Sequence, residues 1–178
     1  MTLYAVVLTF SDEHVKELNK LREKYQRYVS YTIVPHLTLK YPFTLIADIA
    51  IVNDKLKAVA GKIKPFTLVL NGIEFFEGIN NVAYAAIENK RPVIALHAEI
   101  VHSLKGLVKE EDEEIYELDR FTPHVTMGES IPEDVFPAIK KMLADYDLHF
   151  ECQISAFSLY VGTWDGVWKL ESVFELSE

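Results

Sequence analysis

The chain is poor in cysteine, in cations and in long apolar runs, and each shortage excludes something. Cys152 is the only cysteine, so no internal disulfide can form and a reducing compartment is expected. The opening stretch, residues 1–10, holds an apolar run of only about eight residues, too short for a membrane span and without the basic flank of a signal peptide. Lys and Arg number 18 against 27 Asp and Glu, a formal charge of -9. A field of that sign does not draw nucleic acid to the surface as a whole, so RNA or a nucleotide must be recognised locally, by a few cations in a cleft. Much of the acidity lies in one run, Glu110, Glu111, Asp112, Glu113 and Glu114, which reads as a solvated loop. There is no phosphate-binding Gly-x-x-x-x-Gly-Lys loop, no Gly-x-Ser-x-Gly nucleophile turn, no His-Glu-x-x-His and no cysteine pair. A zinc site takes three or four ligands, and no such set is signalled. The expectation is a cytoplasmic monomer with no cofactor, no metal requirement and no membrane partner.

What is present is ordinary globular material. The 178 residues, 49% apolar and 25% charged, suffice to bury the core of one domain. Residues 3–10 read as a buried strand. Ser11 or Asp12 caps a helix that carries Val15, Leu18 and Leu21 and ends near Gln26. A strand follows over 32–41, stopped by Pro42, and then a helix over 48–62 closed by Gly61 and Pro65. Strands over 66–75 and 82–87 flank a turn with Gly78, Asn80 and Asn81, and so form a hairpin. In the second half Pro92 opens a helix that runs from Arg91 to about Leu104, with Gly106 as its cap. A strand over 122–127, a helix over 132–146 and strands over 148–161 and 167–174 complete the chain, the last two joined by a turn at Asp165-Gly166. Each half reads helix, histidine-bearing strand, helix, hairpin. That internal repeat predicts a single α+β domain of two pseudo-twofold-related lobes, roughly 1–90 and 91–178. No linker rich in Pro, Gly or Ser divides them.

The repeat carries a paired motif: Pro35-His36-Leu37-Thr38-Leu39 and Pro123-His124-Val125-Thr126-Met127. In a strand, residues i and i+2 point the same way. His36 and Thr38 therefore share one face and Leu37 and Leu39 the other, and the second copy repeats the arrangement. The apolar residues anchor each strand while an imidazole and a hydroxyl are presented together. Two such strands facing each other across a cleft would set two imidazoles about one phosphate, with two hydroxyls as hydrogen-bond donors. Histidine titrates near neutral pH, so one ring can accept a proton while the other donates. The Thr hydroxyls would hold nonbridging oxygens as charge builds on them. The sequence does not say which histidine is the acid.

These motifs, set in 35–43 and 120–126, make the chain resemble the two-histidine (2H) phosphoesterase superfamily, and within it the small bacterial proteins labelled 2'-5' RNA ligase-like or cyclic phosphodiesterase-like. The resemblance implies a bilobal α+β fold with antiparallel sheets lining a central cleft. It also implies metal-independent chemistry on 2',3'-cyclic phosphates or 2'-5' linkages, with a nucleotide or RNA end as partner. Members often carry an arginine soon after the second motif; here Gly128, Glu129 and Ser130 follow.

Further candidates come from position. Lys40 lies at i+4 from His36, on the same face of an unbroken strand, where it could neutralise phosphate. Arg120 lies at an even offset before His124. Phe43, Tyr84, Tyr160 and Trp164 could stack on a base. His97 and His102 lie five apart on the expected helix and do not share one face, and His14 and His149 have no matching context; all four read as structural or surface residues. Two function classes remain: an enzyme that opens cyclic phosphates or cleaves 2'-5' phosphodiesters, and a module that holds RNA ends or nucleotides without turnover.

Overall fold

The computed structural model describes residues 1–23, 34–78, 80–110, 117–144, 146–164 and 166–177. The expected end of the first helix near Gln26, the start of the strand at 32–33, Asp165 of the last turn and most of the acidic run (111–114) lie outside the described residues. The elements are β1 (Leu3–Thr9), α1 (Asp12–Glu23), β2 (His36–Leu45), α2 (Ile49–Ala60), β3 (Phe66–Phe76), β4 (Asn81–Ile87), α3 (Arg91–Leu104), β5 (Val108–Glu110), a 3-10 turn (Leu118–Arg120), β6 (His124–Ile131), α4 (Phe136–Leu143), β7 (His149–Ile154), β8 (Ala156–Gly162) and β9 (Lys169–Glu175). Local chemistry accounts for several boundaries. The Asp48 side chain accepts from the Ala50 N–H at 2.8 Å and caps α2. Gly106, just past α3, has φ +76°, a conformation that favours glycine.

All pairings are antiparallel, and the strand order is β7-β3-β4-β6-β2-β1-β8-β9, with β5 on the far end of β2. The two histidine strands, β2 and β6, are neighbours at the middle of this order, joined at Leu37↔Val125. They lie side by side, where the sequence reading had them facing across a cleft. Ser155 alone separates β7 from β8, yet these strands stand six places apart in the order. Two residue steps reach at most about 7 Å, whereas six flat strand spacings would span roughly 29 Å. The sheet must therefore curl.

Strands β9, β8, β1 and β2 are backed by α2 and α3, which pack on each other, on β9 and on β2. Strands β7, β3, β4 and β6 are backed by α1, which packs on β6, and by α4, whose Phe136 meets Phe75 edge-on at 5.7 Å. The core lies between sheet and helices and holds Leu37, Leu39, Val125 and Met127 with Leu18, Leu56, Leu96 and Ile139. The histidine face is thus the inner, uncovered face of the curl. The lobes do not coincide with the sequence halves: the β3–β4 hairpin of the first half flanks β6 of the second, and β8–β9 flank β1 and β2.

Three sequence expectations are corrected. Pro42 does not stop its strand, which continues to Leu45. The register shifts between Val6↔Lys40 and Tyr4↔Phe43, so β2 carries an extra residue at 41–42 and the missing proline N–H falls on a bulge. The helix expected over 132–146 is Phe136–Leu143, because Pro137 suits only the first turn. The strand expected over 148–161 breaks at Ser155, where the chain leaves β3 for β1.

Candidate active site

At the join of β2 and β6, the register extended one step either way sets His36 across from Thr126 and Thr38 across from His124. The four expected groups therefore form one patch on the inner face. Each is partly exposed, while Leu37, Leu39, Val125 and Met127 behind them are buried. Among the described residues neither threonine hydroxyl has a hydrogen-bond partner.

Both imidazoles are held in the same way. His36 Nδ1 lies 2.9 Å from the Val34 carbonyl and His124 Nδ1 lies 2.7 Å from the Thr122 carbonyl. A carbonyl only accepts, so each Nδ1 carries the proton and each Nε2 is left as the nitrogen that can accept one in the neutral ring. Burial lowers the pKa of both rings. For His36 the value is pushed down to about 4, chiefly by burial against the opposing Val34 hydrogen bond, with the charges of Arg22 and His124 lowering it further. The buried Arg22 of α1 thus places a cation close to His36. His124 stands against an aromatic wall, its ring edge-on to Phe76 at 5.0 Å and to Tyr84 at 5.3 Å. Those two rings stack at 4.3 Å, and the Tyr84 hydroxyl donates to Glu74 at 2.9 Å. Tyr84 pairs with Thr126 across the sheet, and Glu74 with Tyr84, so all share the inner face.

The remaining expected residues divide. Tyr160 lies on the inner face: it pairs with Ala5, two residues along β1 from Val7, the partner of Thr38. Trp164 is 49% exposed beside Tyr41, with ring centroids 6.2 Å apart. Arg120 ends the 3-10 turn and is exposed; strand alternation does not extend back to it, since β6 begins at His124. Lys40 leaves the histidine face. The register shift between Val7↔Thr38 and Val6↔Lys40 adds a residue to β2, so Lys40 turns to the helix-covered face, becomes 1% exposed and pairs with Glu117. Phe43 is fully buried against Tyr4 and is not available to a base. Phe76, Glu74 and Arg22 were not signalled by the sequence. Alternation carried one residue past the expected strand end at 75 would have put Phe76 with Glu74.

No group of three or more His, Cys, Asp or Glu among the described residues could hold a metal ion, and no described helix is long and apolar enough to cross a membrane. The family model described as the 2'-5' RNA ligase superfamily matches residues 10–165. The chain belongs to this superfamily. It is 32% identical over 162 residues to a Bacillus cereus protein named "Putative phosphoesterase", spanning 90% of this chain and 88% of the relative. A Bacillus anthracis protein of the same name matches with the same identity and coverage. Among solved structures, that of TT0787 of Thermus thermophilus superposes with TM-score 0.66 at 21% identity, covering 99% and 98% of the two chains. E. coli LigT complexed with 3'-AMP gives TM-score 0.64 at 17% identity and 98% coverage of each. These neighbours share the α+β fold with its curled antiparallel sheet.

Proposed function

We propose that this superfamily member is a metal-independent phosphoesterase that hydrolyses 2',3'-cyclic phosphates or 2'-5' phosphodiesters of nucleotides or RNA ends. The observation that carries the reading is the matched pair of Nδ1–carbonyl hydrogen bonds, at 2.9 and 2.7 Å, which leaves two equivalent Nε2 atoms on one face of adjoining strands. The nucleotide class draws support from E. coli LigT, whose structures were determined with 3'-AMP, ATP and NADP+.

The electrostatic asymmetry supports an assignment of the two roles. His36, the more strongly depressed ring with Arg22 nearby, is neutral at physiological pH and acts as the base. A phosphate anion between the rings favours the charged form of His124, which acts as the acid. His36 Nε2 takes a proton from water as the water oxygen bonds to phosphorus. The bond from phosphorus to one ribose oxygen breaks, and His124 gives that oxygen its proton. Thr38 and Thr126 donate to the nonbridging oxygens. The test is turnover of 2',3'-cyclic nucleotides and cyclic-phosphate-ended RNA in EDTA by wild type, His36→Ala and His124→Ala. EDTA-resistant turnover lost in both variants is expected. Turnover that survives both substitutions overturns the mechanism. Tight nucleotide binding without turnover, unchanged in His36→Ala, would make the protein a binding module.

A further inference from the structure

The chain that leads into the second motif is fastened to the strand of the first by one buried imidazole. His97 of α3 is 1% exposed. Its Nδ1 lies 2.6 Å from the Leu39 carbonyl on β2, and its Nε2 accepts the Leu118 N–H at 2.8 Å. Its ring lies flat on that of Phe121, with centroids 3.8 Å apart and planes 8° apart. A carbonyl can only accept and an N–H can only donate, so the neutral, Nδ1-protonated ring is the form that satisfies both. Leu118 sits at φ +51°, an uncommon conformation for a residue with a side chain, and so needs its surroundings to hold it. Beside it, Glu117 pairs with Lys40, and both side chains are nearly buried.

These contacts have a direction. Leu39 follows Thr38 directly in the sequence, and Phe121 precedes Thr122, whose carbonyl holds His124 Nδ1. His97 thus bridges the backbone beside one half of the site to the backbone that aims the other. We propose that His97 is a positioning residue: through Leu118 and Phe121 it fixes the Thr122 carbonyl, and so the tautomer and aim of His124 relative to His36 and Thr38. Its relevance to turnover rests on reading His124 as the catalytic acid; its control of the His124 tautomer does not.

The experiment uses the full chain and three variants. His97→Phe keeps a ring on Phe121 and deletes both hydrogen bonds. His97→Gln can still accept from Leu118. His97→Asn can reach Leu39 but not Leu118. Each is assayed for kcat and KM on a 2',3'-cyclic nucleotide, and the imidazole nitrogens of His124 are read by 15N correlation spectroscopy. The expected result for His97→Phe and His97→Asn is a kcat lower by on the order of 10²-fold with KM near wild type, and averaged His124 tautomers. His97→Gln is expected to recover most of the rate and the single tautomer. A lower melting temperature with unchanged kcat and unchanged His124 signals in His97→Phe overturns the proposal. If His97→Phe does not fold, equal rates for the Gln and Asn variants overturn it. If wild type turns over none of the substrates, the His124 signals alone decide: the proposal falls if they match wild type in all three variants.

Discussion

Leu37 lies directly across from Val125, and both are completely buried. This apolar pair is the join between the two histidine strands, so the spacing of the two imidazoles depends on its fit. Leu37→Ala leaves a cavity there, and we expect a loss of about 2–5 kcal/mol in denaturant unfolding. The folded remainder should also turn over more slowly, measured well below its melting temperature.

His36→Ala and His124→Ala should each lower kcat by about 10²–10⁴ with little change in melting temperature. If the two rings act in one step, as proposed, the double variant should be scarcely slower than the worse single one. Rate losses that multiply would indicate independent roles.

The Thr hydroxyls can be tested by near-isosteric change. Thr38→Val and Thr126→Val should each cost on the order of 10²-fold in kcat, and less in KM, if they bond oxygens whose charge grows in the transition state. Losses confined to KM would mean that they bind the ground state only.

The pH dependence follows from the depressed histidines. With His36 at about 4 in the free protein, the acid limb of kcat/KM should lie well below the ordinary histidine range. An acid limb near 6.5 would take the base role from His36. Stability moves with the same groups. His36, His97 and His124 are all held neutral by burial in the fold, so the unfolded chain takes up protons first. Stability should be full above about 6.5 and fall as pH drops through the window down to about 4. Melting curves at pH 7 and pH 5 check this, and the drop should be smaller in His36→Ala.

Lys40 should act on stability and not on phosphate. Lys40→Ala strands a nearly buried Glu117 carboxylate and should cost about 3–5 kcal/mol. Inorganic phosphate is expected to inhibit the folded variant and the wild type alike.

The fate of Lys40 shows what was legible in the sequence. His36, Thr38, His124 and Thr126 could be placed from strand alternation alone, since both motifs are short and β2 is unbulged between His36 and Thr38. Alternation fails at the next residue pair because bulges arise from pairing with β1 and leave no mark in the residues themselves. Phe43 is a different case: its odd offset from His36 already put it on the core face, and the two bulges together leave it there. The wall of Phe76 and Tyr84 around His124 was not readable, because it depends on which hairpin lies beside β6, and the face that Tyr160 takes likewise depends on the pairing of β8 with β1. The sequence suggested two lobes drawn from its two halves; the exchange of strands across those halves was not legible, because it is a matter of topology and no local residue pattern encodes it.

That exchange has a consequence for how the protein is made. During synthesis the β3–β4 hairpin emerges well before β6, the strand it flanks, and β1 and β2 wait for β8 and β9. Neither half can bury its sheet with its own strands, so the join of Leu37 to Val125 closes only after most of the chain has left the ribosome. Contacts this distant in sequence make folding slow and leave strand edges open in the meantime. The chain severed near residue 90 should yield two fragments that are unfolded apart and active only when mixed.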